Sequence, residues 1–254
     1  MTFKSKTIII TGGSRGIGRG ISQAFLDMEA DVIICGRREI EDLPQNAHFI
    51  SLDIRENEAG VKLRDFALEK TGRIDVLINN AGGGPPVASK DASPNLTQKV
   101  VALNLLAPIN LSQAMHAPLK ESTGSIINIS SVSATRSSPG SVAYGAAKAG
   151  LLNVTTSLAM EWAPDIRVNA IIAGLVKTEA SQDHYGGEKG MAYLSENLPM
   201  KRMGTPQDIA KACLFLANSE NSYVSGACLE VFGGGEPPSF LKITQEAHKL
   251  ASKS

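Results

Sequence analysis

Short runs of branched apolar residues alternate along this chain with longer stretches in which apolar positions recur every three or four residues. The runs TIIITG (7–12), DVIICG (31–36), AHFISLDI (47–54), IDVLINNAG (74–82), GSIINISS (124–131), IRVNAIIAG (166–174) and CLEVFGGG (228–235) predict seven strands. Most are nearly continuous in Val and Ile, as strands buried on both faces are. GIGRGISQAFLDME (16–29), a charged stretch near 57–71, NLTQKVVALNLLAPINLSQAMHAPL (95–119), the run from Tyr144 and TPQDIAKACLFLAN (205–218) predict helices between them. Thr205 is the expected N-cap of the last of these, with Pro206 at its first position. Strands alternating with helices, joined by right-handed crossovers, predict a doubly wound parallel sheet with helices on both faces. No internal repeat or linker interrupts the pattern, so residues 1–254 form one domain. The polar tail 236–254, EPPSFLKITQEAHKLASKS, is read as a flexible end or an arm over a neighbouring subunit.

Bulk composition narrows the function classes. The 254 residues hold 25 Lys plus Arg and 25 Asp plus Glu. That balance gives no general attraction to nucleic acid or to a membrane surface. Cys35, Cys213 and Cys228 show no paired spacing, which reads as free thiols in a reducing, cytoplasmic compartment. His48, His116, His184 and His248 are scattered, and no metal site is expected. The start, MTFKSKTIII, has no long apolar core of a leader, and no run is long enough to cross a bilayer.

The first strand runs into TGGSRGIG (11–18) and then a helix. Glycines let a backbone approach a pyrophosphate, and a helix N-terminus offers free N–H groups and partial positive charge. Gly12, Gly16 and Gly18 are spaced G-x-x-x-G-x-G, not G-x-G-x-x-G. Opening the first strand–helix unit of a parallel sheet, the motif predicts a Rossmann dinucleotide site. Such a site presents, at the end of its second strand, an acid to a ribose 2′-OH or an Arg to a 2′-phosphate. Here that strand ends in Arg37 and Arg38, and Arg15 lies within the Gly-rich loop. Guanidinium groups grip a phosphate in a bidentate manner. NADP(H) is therefore favoured, with NAD(H) possible; Arg38 is as readily a solvent-facing residue.

In YGAAK (144–148), Tyr144 and Lys148 stand four apart and share one helical face. The pair alone reads equally as a half-buried Tyr beside a snorkelling Lys, or as a phenol made acidic for proton transfer.

TGGSRGIG, LDI (52–54), NNAG (79–82), Asn104, INISS (127–131), YGAAK, VNAIIAGLVKT (168–178) and VSGACLEVFGGG (224–235) occur in this order. Together they resemble the classical short-chain dehydrogenase/reductase family, including its 3-oxoacyl-thioester reductases, over nearly the whole chain. The resemblance implies a catalytic tetrad of Asn104, Ser131, Tyr144 and Lys148. Ser131, thirteen residues before Tyr144, is preferred to Ser130, whose side chain leaves the opposite face of the strand. The coenzyme would be held by Gly12, Ser14, Arg15, Gly16, Ile17, Gly18, Arg37, Arg38, Asp53, Ile54, Asn80, Ala81, Gly82, Tyr144, Lys148, Gly174, Val176 and Thr178. Asp53 would accept from the adenine amine and Ile54 pack on its ring. Lys148 and the oxidised nicotinamide would lower a phenol whose free pKa is near ~10. Asn104 would hold a relay water. Two departures stand out: Ala173-Gly174 replaces the usual Pro-Gly, and no acid precedes the glycines of the last strand.

The implied reaction is hydride transfer between a carbonyl and a secondary alcohol. Residues 175–203, with His184, Tyr185, Met191, Tyr193 and Leu194, and the GGGPP loop (82–86) are the expected substrate walls. They suit a partly apolar ketone or a 3-oxoacyl thioester of coenzyme A or a carrier protein. A steroid-ring-remnant coenzyme A thioester, a non-catalytic NADP-binding regulator and a nucleotide-binding transferase or epimerase are the rival readings. The family pattern further implies a homotetramer, or else a dimer, built on the 95–119 and Tyr144 helices.

Overall fold

The computed structural model describes residues 2–38, 43, 46–181 and 185–252. Seven parallel strands form one sheet: β1 (Thr7–Thr11), β2 (Asp31–Gly36), β3 (Ala47–Ser51), β4 (Val76–Asn79), β5 (Ser125–Ser131), β6 (Arg167–Ala173) and β7 (Cys228–Val231). Their order is β3-β2-β1-β4-β5-β6-β7, so the chain reverses its direction of travel between β1 and β4. The crevice above that reversal is where open α/β sheets bind ligands.

Most of the strands serve two cores. Ile8 and Ile10, Val32 and Ile34, and Val76 and Ile78 face one side, with Ile21 and Phe25 of α1 (Gly16–Leu26) and Ile209 and Leu216 of a later helix. Ile9, Ile33 and Leu77 face the other, with Leu63 of α2 (Ala59–Thr71) and Leu111 and Met115 further along. This period-two split of unbroken apolar runs is why the strands could be read without alternation.

The stretch expected as one helix at 95–119 is three pieces. α3 (Pro94–Val101) passes into a π segment at Ala102–Leu106, and α4 (Ala107–Glu121) follows. α5 (Val142–Glu161) carries YGAAK. α6 (Gly187–Asn197) lies in the expected substrate region. α7 (Pro206–Ala217) opens on a capping box, the Thr205 hydroxyl accepting from the Asp208 N–H while Asp208 accepts from the Thr205 N–H. α1 and α7 pack closely: a Cβ on Gly20 would lie 2.4 Å from Pro206 Cβ. The tail is not simply a flexible end. It forms α8 (Ser239–Ala251), with exposed Phe240, Ile243 and Leu250.

Candidate active site

The Gly-rich loop leaves β1 with Gly12 at φ 65° and Gly16 at φ 53°, both left-handed. Gly18 has no room for a side chain, since a Cβ there would lie 2.2 Å from the Gly12 carbonyl oxygen. Two threads tie this loop to the end of β4. Asn80 Nδ2 donates to the carbonyls of Thr11 (2.9 Å) and Gly12 (3.3 Å), and Thr11 Oγ1 accepts from the N–H groups of Asn80 (3.0 Å) and Ala81 (2.9 Å). α1 has no side-chain cap and no acid in its first turn. Its Gly16 N–H instead donates to a carboxylate from across the crevice, Glu179 Oε2, at 3.0 Å. An anionic oxygen thus already rests on the helix N-terminus, and the cradle fits a dinucleotide pyrophosphate. Thr178, next to Glu179, brings its methyl to 3.4 Å from where a Gly16 Cβ would stand. Gly174 has its own steric reason: a Cβ there would lie 2.7 Å from Phe232 Cα. Val176 is buried and bridges to Gly204.

The tetrad residues converge at the carboxyl end of β5. The Ser131 hydroxyl lies close enough to the Tyr144 phenol to lower its pKa, and it accepts from the Ser133 N–H at 3.2 Å. Ser130 points the other way and donates to the Lys148 carbonyl at 3.1 Å, bolting α5 to the strand. Lys148 is 3% exposed, and its ammonium donates to the Ile129 carbonyl at 2.8 Å. Nζ lies 5.8 Å from the centre of the Tyr144 ring. Burial lowers Lys148 to a pKa of about 8. Burial also raises Tyr144, outweighing the Ser131 hydrogen bond that lowers it. Here desolvation outweighs the hydroxyl, and the Lys148 ammonium is turned to a backbone carbonyl. Asn104, fully buried in the π segment, bonds both ways with Gly83, accepting from its N–H and donating to its C=O at 2.8 Å each. It also donates to the Val100 carbonyl at 2.8 Å, so its amide anchors the GGGPP loop. A Cβ on Gly82 would lie 2.7 Å from Asn104 Oδ1 and 3.0 Å from Lys148 Nζ.

At the adenine end, Asp53 is engaged by a neighbour the sequence reading did not single out. Arg55 donates to it through Nε at 2.9 and 3.2 Å, through Nη2 and through its backbone N–H at 3.1 Å. The Arg55 hydrogen bond, opposed by partial burial and aided by the nearby charges of Arg55 and Arg37, holds the Asp53 carboxyl at about 2. Ile54 is buried in the core beside α2, leaving 6% of its surface for an adenine ring. Ser14 lies beside Gly36, its hydroxyl 3.7 Å from where a Gly36 Cβ would stand. Arg15, Arg37 and Arg38 are exposed, and among the described residues none has a carboxylate within salt-bridge distance. Ile17 packs against the α1 side of the core.

Two further features belong to this part of the molecule. One is a cavity of about 170 Å³, lined among others by Pro85, Val87, Leu96, Val100, Val142 and Tyr144 itself. The second is electrostatic: Arg136 and Glu236 form a two-pronged ion pair, with 2.8 Å on each prong, whose charges reach Tyr185 as that of Tyr144 does. Tyr185 belongs to this second group: burial, then the charges of Glu236 and Tyr144, raise its pKa, and Arg136 opposes them. Arg136, Glu236 and Glu179 were absent from the sequence reading. Met191 is buried, Leu194 half-buried and Tyr193 largely exposed, while His184 lies outside the described residues. Among the described residues no group of three His, Cys, Asp or Glu is placed to hold a metal.

A family model described as enoyl-(acyl carrier protein) reductase matches residues 12–235. An uncharacterized short-chain type dehydrogenase/reductase of Sinorhizobium fredii is 35% identical over 250 residues, covering 92% of this chain and 98% of that protein. A 3-oxoacyl-[acyl-carrier-protein] reductase of Chlamydia pneumoniae is 37% identical, covering 92% and 98%. Among solved structures, ElxO with NADP bound superposes with a TM-score of 0.83 at 30% identity, covering 90% of this chain and 98% of that one.

Proposed function

This chain belongs to the short-chain dehydrogenase/reductase family of NAD(P)(H)-dependent oxidoreductases, and on that premise we propose that it interconverts a ketone and a secondary alcohol with Tyr144 as proton donor and acceptor. The observation that carries this reading is the buried Lys148 ammonium 5.8 Å from the centre of the Tyr144 ring, with the Ser131 hydroxyl close enough to the phenol to lower its pKa. The bound coenzyme supplies or takes the hydride at nicotinamide C4. In reduction the Tyr144 O–H gives its proton to the carbonyl oxygen while Ser131 donates a hydrogen bond to that same oxygen. Oxidation runs in reverse, the phenolate taking the alcohol proton. Lys148 holds positive charge beneath the phenol, and Asn104 keeps the Gly82–Gly83 turn against it.

NADP(H) is the preferred coenzyme, on the strength of Arg15 and Arg37, exposed and with no carboxylate in salt-bridge reach among the described residues, and of Arg37's influence on Asp53. NAD(H) would bind the same cradle more weakly. The substrate is a partly apolar ketone or a 3-oxoacyl thioester, a class supported by the apolar cavity beside Tyr144 and by the Chlamydia relative. Exposed Leu106 and Met160, at the π segment and on α5, support a homotetramer or dimer built on these helices, with α8 as an arm over a neighbour. Cys35 and Cys213, free and buried, support a reducing, cytoplasmic setting. Among the described residues no helix is long and apolar enough to cross a membrane.

The test is turnover of a panel of ketones and 3-oxoacyl thioesters with NADPH, by the wild type and by Tyr144→Phe. Turnover should vanish in the variant while NADPH affinity stays near the wild-type value. A variant that keeps its kcat on a good substrate would overturn Tyr144 as proton donor.

A further inference from the structure

Tyr144 is part of the wall of the 170 Å³ cavity, which lies between the 84–92 loop, α3 and the first turn of α5. Pro85, Val87, Leu96, Val100 and Val142 supply its apolar surface. Apart from Tyr144, its polar side chains are the hydroxyls of Ser89, Thr97 and Ser141, and among the described residues no charged group lines it. The walls are pinned by hydrogen bonds. Gly83, just before the loop, exchanges two bonds of 2.8 Å with the Asn104 amide, which also donates to the Val100 carbonyl at 2.8 Å. Further along, the Val87 N–H donates to the Gly140 carbonyl at 2.8 Å. Between these two ties the loop lies against α3: a Cβ on Gly84 would stand 3.2 Å from Val100 Cγ2. The cavity is thus shaped before any ligand arrives, and it shares a wall with the reacting phenol.

An aliphatic cavity of about 150 Å³ is large enough to take up benzene. A charged limb would lose its hydration in such a place and find no partner there. Coenzyme A and a carrier protein are far too large for it. We propose that this cavity reads one apolar limb of the carbonyl substrate, and that Leu96 and Val100 set the length it reads at about one six-membered ring or a six-carbon chain. The bulky or charged limb then lies on the other side of the carbonyl, outside the cavity. This rests on the oxidoreductase reading above and narrows it to ketones, or 3-oxoacyl thioesters, with a short or aromatic acyl limb. Leu96 and Val100 stand one turn apart on the same face of α3. Val100 is buried and Leu96 half-buried, so Leu96 is the position where the cavity can be lengthened or shortened with least harm to the core.

A limb-length profile separates this role from a purely structural one. If Leu96 only supports the fold, Leu96→Ala lowers activity by the same factor at every limb length. If it bounds the limb, the profile itself moves. The experiment measures kcat/KM with NADPH for 3-oxo compounds R–CO–CH2–CO–X, where R runs from methyl to nonyl and includes phenyl. X is the thioester of N-acetylcysteamine in one series and a benzyl ester in the other. Both place the larger limb opposite R, and the pair shows whether a thioester is required.

In the wild type kcat/KM should climb about fourfold per methylene and stop climbing at about six carbons, with phenyl near the top. Leu96→Ala, which removes three side-chain carbons, should move that break to longer limbs by about as many. Its gain on octyl and nonyl relative to pentyl also shows that the variant is folded. Leu96→Trp should move the break to shorter limbs; if it does not fold, Leu96→Ala decides alone. A wild type with no length preference, a climb that runs on to nonyl, or a break that stays in place in Leu96→Ala would overturn the proposal. If the wild type reduces no member of either series, the same limbs are titrated by calorimetry into the protein with NADP+ present. The break and its shift must then appear in Kd, or the proposal falls. Absence of turnover counts separately, against the oxidoreductase reading.

Discussion

The carboxylate of Glu179 accepts the Gly16 N–H at 3.0 Å, joining residues 163 positions apart across the coenzyme crevice. A dinucleotide pyrophosphate needs the same helix N-terminus, and two anions do not share it. Coenzyme binding must therefore move Glu179 away. Glu179→Gln should tighten NADPH binding severalfold, read as Kd by fluorescence titration. Weaker binding in the variant would mean that Glu179 helps to organise the cradle.

Proton inventory sets the pH dependence. Burial raises Tyr144, so the phenol is protonated at neutral pH and ready to act as a donor. Lys148, lowered to about 8, keeps its charge below that value and loses it above. Reductive kcat/KM should stay flat through neutral pH and fall as pH climbs past about 8. Oxidation needs the phenolate, so its rate should rise with pH over the range where reduction is flat. Initial rates in both directions across a pH series check this, and parallel profiles would contradict it.

Coenzyme choice should follow Arg37. A guanidinium on a phosphate contributes about 1.5–3 kcal/mol, hence roughly tenfold or more for NADPH over NADH. Arg37→Asp should reverse the order by repelling the 2′-phosphate and offering an acceptor to a 2′-OH. Equal Kd values for the two coenzymes in the wild type would refute the assignment.

Asp75 governs acid stability at the base of the sheet, away from the chemistry. Its carboxylate accepts from the Thr7 N–H (3.0 Å), Lys6 Nζ (2.9 Å) and Arg73 Nε and Nη2 (2.7 and 2.6 Å). Burial pushes this carboxyl up, yet the hydrogen bonds from Arg73, Thr7 and Lys6 outweigh it and hold the pKa below the ordinary value. A depressed carboxyl stabilises the fold above its unfolded pKa, and that contribution is lost as pH falls through the folded one. Asp75→Asn should cost about 1–3 kcal/mol at neutral pH and much less in acid. Urea melts at the two pH values measure it, and an equal loss at both would remove the electrostatic explanation.

The strands, the Gly-rich loop and the Tyr144–Lys148 face were legible because each is written locally. Val and Ile runs are buried on both faces, and TGGSRGIG follows the first of them. What escaped reading depends on partners distant in sequence. ALNLL contains nothing that breaks a helix, and the π segment there surrounds Asn104, whose amide is bound to Gly83 on another loop. The Glu179–Gly16 and Arg136–Glu236 contacts join segments that only the fold brings together. The Asp53–Arg55 pair was local, but the resemblance directed that carboxylate to adenine, and its neighbour went unweighed. In the tail, Phe240, Ile243, Ala247 and Leu250 already have helical spacing; the Pro pair and the polar residues outweighed it.

Consecutive serines on β5 divide two tasks. Ser130 ties down the backbone of α5 at Lys148, and Ser131 acts on the phenol of Tyr144 one helical turn earlier, lowering its pKa. The separation between hydroxyl and phenol is therefore inherited from the pleat of a strand and the rise of a helix, both fixed by covalent geometry. Neither depends on the loops that meet the substrate. The chemistry is portable: the segments 84–92, 185–203 and 232–252 can be grafted from a relative of different selectivity without retuning the reacting centre. Directed recombination within this family should cut the chain at those three segments and keep β5 and α5 on one fragment.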